Sequence, residues 1–464
     1  MKYFINLILL TLSVSCTTTN KQNSTAYFGG QIVNPKDKYV LFLKDDVVID
    51  TLTLDNNNRF LKEYQSLDEG LYTFKHGGEF QYIYFEPTDS ILVRLNTWDF
   101  DESIVFSGNG SSKNEFLINL FLQNEKEEKY MYQNFYLDEH DFMQKIDSLS
   151  AEKNSIYKDF VAHEDNTVTE GFEKLSNAAI NFPLDRLKEV YPYYYKRVHN
   201  LDKIPEISED FYNYRDQINL NEESLLSFYP YQNYLISYLY HLSYELKEKD
   251  STKNNMTVNV LNSINENIES ENIKNTLLKR VIVNDFLKSE STCSINNEAL
   301  DIFLKNCTNQ KFIEQVESLV NDSKYVVNNQ PIHNFDVTKY NNSTLTINDI
   351  IKDQNTVIYF WSTEYMSSEY LINRIKYLEK THPNVLFVGI NMKTSNDNLI
   401  ADPYLKQLDS AKQYKLTGNS YAYNYLTSKY PRVIIVNNKG VVENGFTYLD
   451  SRKLTSEINK LEKN

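Results

Sequence analysis

Three cysteines in 464 residues exclude a disulfide-built scaffold or a cysteine-rich metal cage. Glycine (12 copies) and proline (10 copies) are also scarce. None of the glycines falls in a G-x-G-x-x-G, P-loop or G-x-S-x-G arrangement, so phosphate cradles and serine-hydrolase elbows are excluded, and no cofactor is expected. Positive charge is short as well: 48 Lys and Arg face 63 Asp and Glu, a formal net charge of −15. A nucleic-acid partner or an anionic lipid surface would need a basic face, and the acidity reads most simply as an aid to solubility. The seven histidines (His76, His140, His163, His199, His241, His333, His382) make no H-x-H or HExxH and pair with no cysteine, so no metal site is expected. No run after residue 16 has the ~20 apolar residues of a membrane span.

The N-terminus is more informative. Lys2 precedes a short, mostly apolar stretch over residues 3–12, followed by Ser13-Val14-Ser15-Cys16. A positive start, a short apolar core and small residues make a secretory signal. The ending resembles the bacterial lipoprotein box, with Ser13 where Leu is usual. That resemblance implies acylation of Cys16 as the mature N-terminus, with residues 17–26 as a polar tether. The expected location is the envelope of a Gram-negative-type bacterium, lipid-anchored at the outer membrane and facing the periplasm. Cys293 and Cys307, 14 residues apart, either pair there or stay as buried thiols.

Length favours two or three domains. Residues 27–107 alternate in short apolar runs (31–33, 39–43, 47–54, 71–74, 82–85, 91–95, 104–106) between turn clusters, which predicts a small β-sandwich or barrel. Residues 108–321 turn helical, with 3.6-residue periodicity over 114–134, 141–163, 169–198, 231–247, 258–287 and 297–321. Tyr231, Tyr234, Leu235, Tyr238 and Leu239 form the clearest stripe, read as a buried helix seam. The Tyr-rich cluster at 191–197 reads as surface packing beside a helix break, and polar residues 322–330 read as a linker. Residues 331–464 alternate strand and helix, with helices expected near 404–414 and 420–428 and a ββα close. The fold class is therefore multidomain α+β.

Three stretches carry a family resemblance: Val357-Ile358-Tyr359-Phe360-Trp361-Ser362-Thr363, Phe387-Val388-Gly389-Ile390-Asn391, and Tyr430-Pro431-Arg432-Val433-Ile434-Ile435-Val436. In that order they resemble the thioredoxin-like family, close to its membrane-anchored thiol–disulfide branch. Gly30-Gln31-Ile32, Gly70-Leu71-Tyr72 and Glu86-Pro87-Thr88-Asp89 resemble the N-terminal β-domain of envelope lipoproteins that carry such a domain at the other end.

The family's chemistry uses a low-pKa thiolate at a helix N-terminus and a resolving thiol three positions on. Laid onto this sequence, those positions hold Tyr365 and Ser368, with Met366 and Ser367 between. The carboxylate often buried beneath the cysteines corresponds to Tyr359. Dithiol exchange at this place is excluded by chemistry, and no catalytic residue is expected there. Ser367 and Ser368 are explained as helix-start caps. What the resemblance leaves is a peptide-docking edge at Trp361, Tyr430 and Pro431, supplied by main-chain hydrogen bonds. Two other readings stand beside it: thiol–disulfide or peroxide reduction through Cys293 and Cys307, and glycan or protein binding by the β-domain.

Overall fold

The computed structural model describes residues 25–163, 168–288, 295–363, 366–392, 405–428, 432–451 and 453–463. Cys16, Cys293, Tyr365, Tyr430 and Pro431 lie outside these residues.

Alternation builds the N-terminal sandwich. In β1 (Thr25–Val33) Ala26, Phe28 and Ile32 point inward, and in β7 (Ser90–Asn96) Ile91, Val93 and Leu95 do the same. One sheet runs β4-β1-β7-β8, with β4 at Arg59–Gln65 and β8 at Val105–Asn109. The other runs β3-β2-β5-β6, from β2 (Tyr39–Lys44), β3 (Val47–Thr53), β5 (Gly70–His76) and β6 (Glu79–Phe85). The strand β4 is an addition to the expected set, because only Phe60 on it is fully buried and its remaining residues read as a polar loop. Phe28, Phe42, Phe74 and Phe85 meet in the core between the sheets.

Among the described residues eight α-helices follow: α1 (Ser111–Tyr132), α2 (Glu139–Ala162), α3 (Glu170–Val198), α4 (Tyr229–Lys249), α5 (Met256–Asn267), α6 (Glu271–Lys288), α7 (Asn297–Asn306) and α8 (Gln310–Tyr325). Side chains of Asp138, Thr169, Asn255, Asn296 and Asn309 accept from first-turn amides and set five of the starts. Tyr231, Tyr234, Leu235 and Leu239 are fully buried, so the stripe is a helix seam. The surface reading of residues 191–197 is corrected. Helix α3 continues through Pro192, and Tyr191 is 1% exposed, stacked on Phe142 with its hydroxyl donating to the Leu137 carbonyl.

The helical layer is fastened to the sandwich at edge strand β6. The Asn114 side chain accepts from the Tyr84 amide (2.7 Å) and donates to its carbonyl (2.9 Å), replacing a missing strand. Tyr82 likewise donates its hydroxyl to the Ser227 carbonyl and accepts from the Tyr229 amide.

The C-terminal third is a seven-stranded sheet in the order β10-β9-β13-β12-β11-β14-β15. Its strands are β9 (Asp336–Lys339), β10 (Thr344–Thr346), β11 (Thr356–Trp361), β12 (Leu386–Asn391), β13 (Gln413–Leu416), β14 (Val433–Val436) and β15 (Val442–Thr447). β11 and β12 are parallel, joined through α10 (Ser368–Thr381); β14 pairs antiparallel with β11, and β15 with β14. A short α9 (Ile347–Ile351) precedes β11, and α11 (Leu454–Lys463) closes the chain. This order and these directions are those of a thioredoxin-like plan.

Two expected helices are corrected. Among the described residues, 405–412 form short 3-10 turns before β13, and 420–428 hold a single 3-10 turn at Tyr421–Asn424. The linker reading is corrected at its start, since Asp322 lies in the last turns of α8 and is 1% exposed. Among the described residues no helix is long and apolar enough to cross a membrane.

Candidate peptide-docking site

All six residues of β11 are buried, because the strand sits mid-sheet with layers on both faces. The chain leaves it at Trp361, passes Ser362 and Thr363, and re-enters description at Met366. Ser367 is the N-cap of α10, its hydroxyl accepting from the Tyr370 amide at 3.2 Å. A first-turn amide that would favour a thiolate is thereby held by a neutral hydroxyl. Leu371, Ile375 and Leu378 press the helix onto the sheet.

Trp361 is 1% exposed, packed with α10 and Met366, and its indole N–H meets no partner among the described groups. It supports the site from below and presents no open ring to a ligand.

Beneath the loop the register aligns Tyr359, Gly389 and Gln413 across three parallel strands. Gln413 Nε2 donates to the Tyr359 hydroxyl at 2.7 Å. A Cβ on Gly389 would stand 2.6 Å from that hydroxyl and 2.1 Å from Gln413 Oε1, so only glycine admits the pair. Burial pushes the Tyr359 phenol well above its ordinary range, with the Gln413 hydrogen bond opposing. A neutral tyrosine–amide pair thus stands where a proton-transferring carboxylate would be needed. One row nearer the loop, Trp361, Asn391 and Lys415 align, with the Lys415 ammonium 5.2 Å above the Tyr340 ring.

Tyr430 and Pro431 lie outside the described residues, and the described residues on either side of 429–431 are held by hydrogen bonds. Asp322 of α8 accepts from the Thr427 amide (2.8 Å) and hydroxyl (2.7 Å), the Ser428 amide (3.1 Å) and the Ser428 hydroxyl. On the other side, the buried Arg432 guanidinium donates to the carbonyls of Asp322, Tyr425 and Gly445, and the Arg432 carbonyl accepts from the Phe360 amide. Sequence reasoning passed over Asp322, Arg432 and Gln413. A signal existed for Asp322, which continues the buried helix face of Val316 and Leu319 at three-residue spacing. From the sandwich, the β5–β6 turn reaches the loop: a Cβ on Gly78 would lie 3.7 Å from the Thr363 carbonyl oxygen.

Cys307 is a free thiol, buried in the helical core at the end of α7, and burial pushes its pKa up. A nucleophilic cysteine needs the opposite shift. Cys293, whose pairing with Cys307 is one of two alternatives, lies outside the described residues. Among the described residues no three His, Cys, Asp or Glu side chains gather as metal ligands.

No family model matches the chain, and no curated protein matches it in sequence. Among the solved structures it is similar to are domains described as thiol-disulfide oxidoreductases or interchange proteins. One is a thiol:disulfide interchange protein from Bacteroides sp. (15% identity, TM-score 0.24, covering 30% of this chain and 92% of that one). Another is the thioredoxin domain of a thiol-disulfide oxidoreductase from Bacteroides vulgatus (14% identity, TM-score 0.23, covering 29% of this chain and 96% of that one). At these scores the likenesses carry no argument by themselves; the strand order above carries the fold.

Proposed function

We propose that this protein is a non-catalytic, peptide- or protein-binding member of the envelope, tethered by lipid at Cys16, with a thioredoxin-like domain that has no redox pair. The observation that carries this reading is the Ser367 cap. Residues 356–370 contain no cysteine, and the Tyr370 amide at the head of α10 is occupied by a hydroxyl. The neutral Tyr359–Gln413 pair supports it, since it stands at the position where the resemblance implies a proton-relaying carboxylate. Binding would use the loop at Tyr430–Pro431, whose flanks Asp322 and Arg432 fix in place, by adding main-chain hydrogen bonds to an extended segment.

The reductase reading through Cys293 and Cys307 is disfavoured by the burial of Cys307 and the direction of its shift. The test is a paired assay on the detergent-solubilised full chain. Insulin reduction at the level of the uncatalysed reaction, together with saturable binding of extended peptides, is the expected result. Catalysed reduction that is lost in the Cys293→Ser/Cys307→Ser variant would overturn it.

A further inference from the structure

Where the sandwich meets the helices, a crevice of about 150 Å³ opens between β5–β6 and helices α1, α3 and α4. Leu71, Ile118, Ala179 and Phe228 line it and are all buried. A volume of this size holds a benzene-sized body and stays dry where its lining is apolar. Junctions between structural layers are common places for small-molecule sites. Four aromatic rings belong to the lining, those of Tyr82, Phe121, Phe228 and Tyr229, and Tyr82 meets Phe228 edge-on with centroids 5.5 Å apart. The face of such a ring is negative and attracts a cation.

The polar side chains of the lining decide what charge an occupant can carry. Arg186 is committed: its Nη1 donates to Glu128 Oε1 at 2.8 Å and its Nη2 to the Tyr132 hydroxyl at 3.3 Å. The neutral oxygens are engaged too. The Tyr82 hydroxyl accepts from the Tyr229 amide, Gln81 Oε1 from the Tyr82 amide, Asn124 Oδ1 from the buried Lys153 ammonium and Asn233 Oδ1 from Arg280, which itself stands outside the lining. Among the described residues these bonds leave Glu125, the second oxygen of Glu128 and the exposed Tyr229 hydroxyl as side-chain acceptors. Two carboxylates thus face one guanidinium that is already paired, and the charge left over is negative. Glu125 carries it at the wet rim, its side chain 50% exposed, with the 79% exposed Lys129 no nearer than 4.0 Å. An ion pair so solvated contributes little. Beside it, Gln81 Nε2 donates to Asp101 at 3.0 Å, and burial together with the carboxylates of Glu102, Glu125 and Glu79 pushes the Asp101 carboxyl up against that bond.

We propose that this crevice is a binding site for a small apolar primary amine in its ammonium form, with an aryl or short alkyl body against Leu71, Ile118 and Phe228 and its charged head on Glu125 at the rim. An ammonium brings three donors and no acceptor, the complement of a lining whose open groups are carboxylate oxygens. Because Glu125 is half in water, the head keeps part of its hydration while the body leaves solvent, so no charge is stripped bare on binding. The occupant is set by charge complementarity at the mouth of an apolar, ring-sized space. This site is separate from the docking loop, and its test does not depend on that reading.

The test is calorimetry at neutral pH on the full chain with three probes of the same body: 3-phenylpropylamine, 3-phenylpropanol and 3-phenylpropanoate. The amine should bind at least fivefold more tightly than the alcohol, and the carboxylate should bind weakest. Glu125→Gln, a change at an exposed position, should bring the amine to within twofold of the alcohol while leaving the alcohol's affinity unchanged. Ala179→Phe, which fills the crevice, should abolish both. A preference for the amine below fivefold, no saturable binding of any probe to the native chain, or a fivefold preference that survives Glu125→Gln would each overturn the proposal. The last outcome would assign the preference to the net negative charge of the whole chain and not to this site. The probe series on the native chain decides the matter even if the Ala179 variant does not fold.

Discussion

Gln413 Nε2 and the Tyr359 hydroxyl are hydrogen-bonded at 2.7 Å in the buried centre of the C-terminal sheet. The Gln413 carbonyl oxygen has no further partner among the described groups, so this bond is all that the amide gains. Tyr359→Phe would leave a buried N–H donor unmatched. The expected loss is about 1–3 kcal/mol of unfolding free energy, read as a lower urea midpoint at unchanged slope. Peptide binding by the folded fraction should not change, because the pair lies under the loop and not in it.

At the head of α10, Ser367→Ala removes the acceptor for the Tyr370 amide. The loss of an N-cap costs about 1 kcal/mol, and Gly at the same place only a few tenths. Faster amide exchange at Tyr370 in the Ala variant is the local readout. A burst of exchange across the whole sheet would show that the residue does something other than cap.

Much of this domain was legible from sequence, and the illegible parts share a cause. The uninterrupted apolar run Val357-Ile358-Tyr359-Phe360 encodes β11, and the i, i+4, i+7 spacing of Leu371, Ile375 and Leu378 encodes the buried face of α10. Strand β13 was missed because Gln413 and Lys415 are polar, and they face inward only because Tyr359 and Tyr340 await them across the sheet. The end of α8 was read as a linker because Asp322 is acidic, although its partners Thr427 and Ser428 lie more than a hundred residues away. The site's position was readable from local pattern. Its supporting polar groups depend on long-range pairing that periodicity does not encode.

A pH dependence follows from the helical region. Glu189, fully buried on α3, takes both Arg215 donors (2.9 and 2.5 Å), the Tyr214 hydroxyl (2.7 Å) and His241. On its other side, His241 Nε2 lies 3.1 Å from Glu245 Oε1, and that hydrogen bond pulls the Glu245 carboxyl from 4.5 to about 2. A carboxyl whose folded pKa is depressed adds stability that is full above the unfolded value. That stability is lost as pH falls through the folded one. Unfolding free energy should therefore decline between about pH 4.5 and about pH 2. Glu245 is 39% exposed, so its share is about 1 kcal/mol after solvent screening. Glu245→Gln should flatten the acid limb by that amount; an unaltered acid profile would refute the assignment. Removing the buried partner instead, by Glu189→Leu, should cost about 3–5 kcal/mol because Arg215 loses its counter-charge.

Cys307 gives a chemical test of the same core. Buried, with a raised pKa, it should resist iodoacetamide in the native Cys16→Ser/Cys293→Ser protein and react once urea unfolds the chain. Rapid native labelling would place the thiol at the surface and revive the reductase reading.

Asp322 links α8 to residues more than a hundred positions away, and its removal tests how the proposed docking segment is held. Its carboxylate accepts four hydrogen bonds from Thr427 and Ser428, and its carbonyl accepts a fifth from Arg432, so α8 fixes both flanks of residues 429–431. In Asp322→Ala the two amides at 427 and 428 lose their acceptor in a poorly solvated place, at a cost of about 2–4 kcal/mol. Main-chain docking depends on an edge held rigid before the peptide arrives, since any ordering on binding subtracts from affinity. Peptide affinity should therefore fall at least fivefold even under conditions where the variant is fully folded. Faster amide exchange should be confined to the segment around 425–432. Asp322→Asn keeps one acceptor oxygen and should recover part of both effects. An affinity unchanged in Asp322→Ala, with exchange around the loop raised, would mean that the peptide is held elsewhere on the molecule.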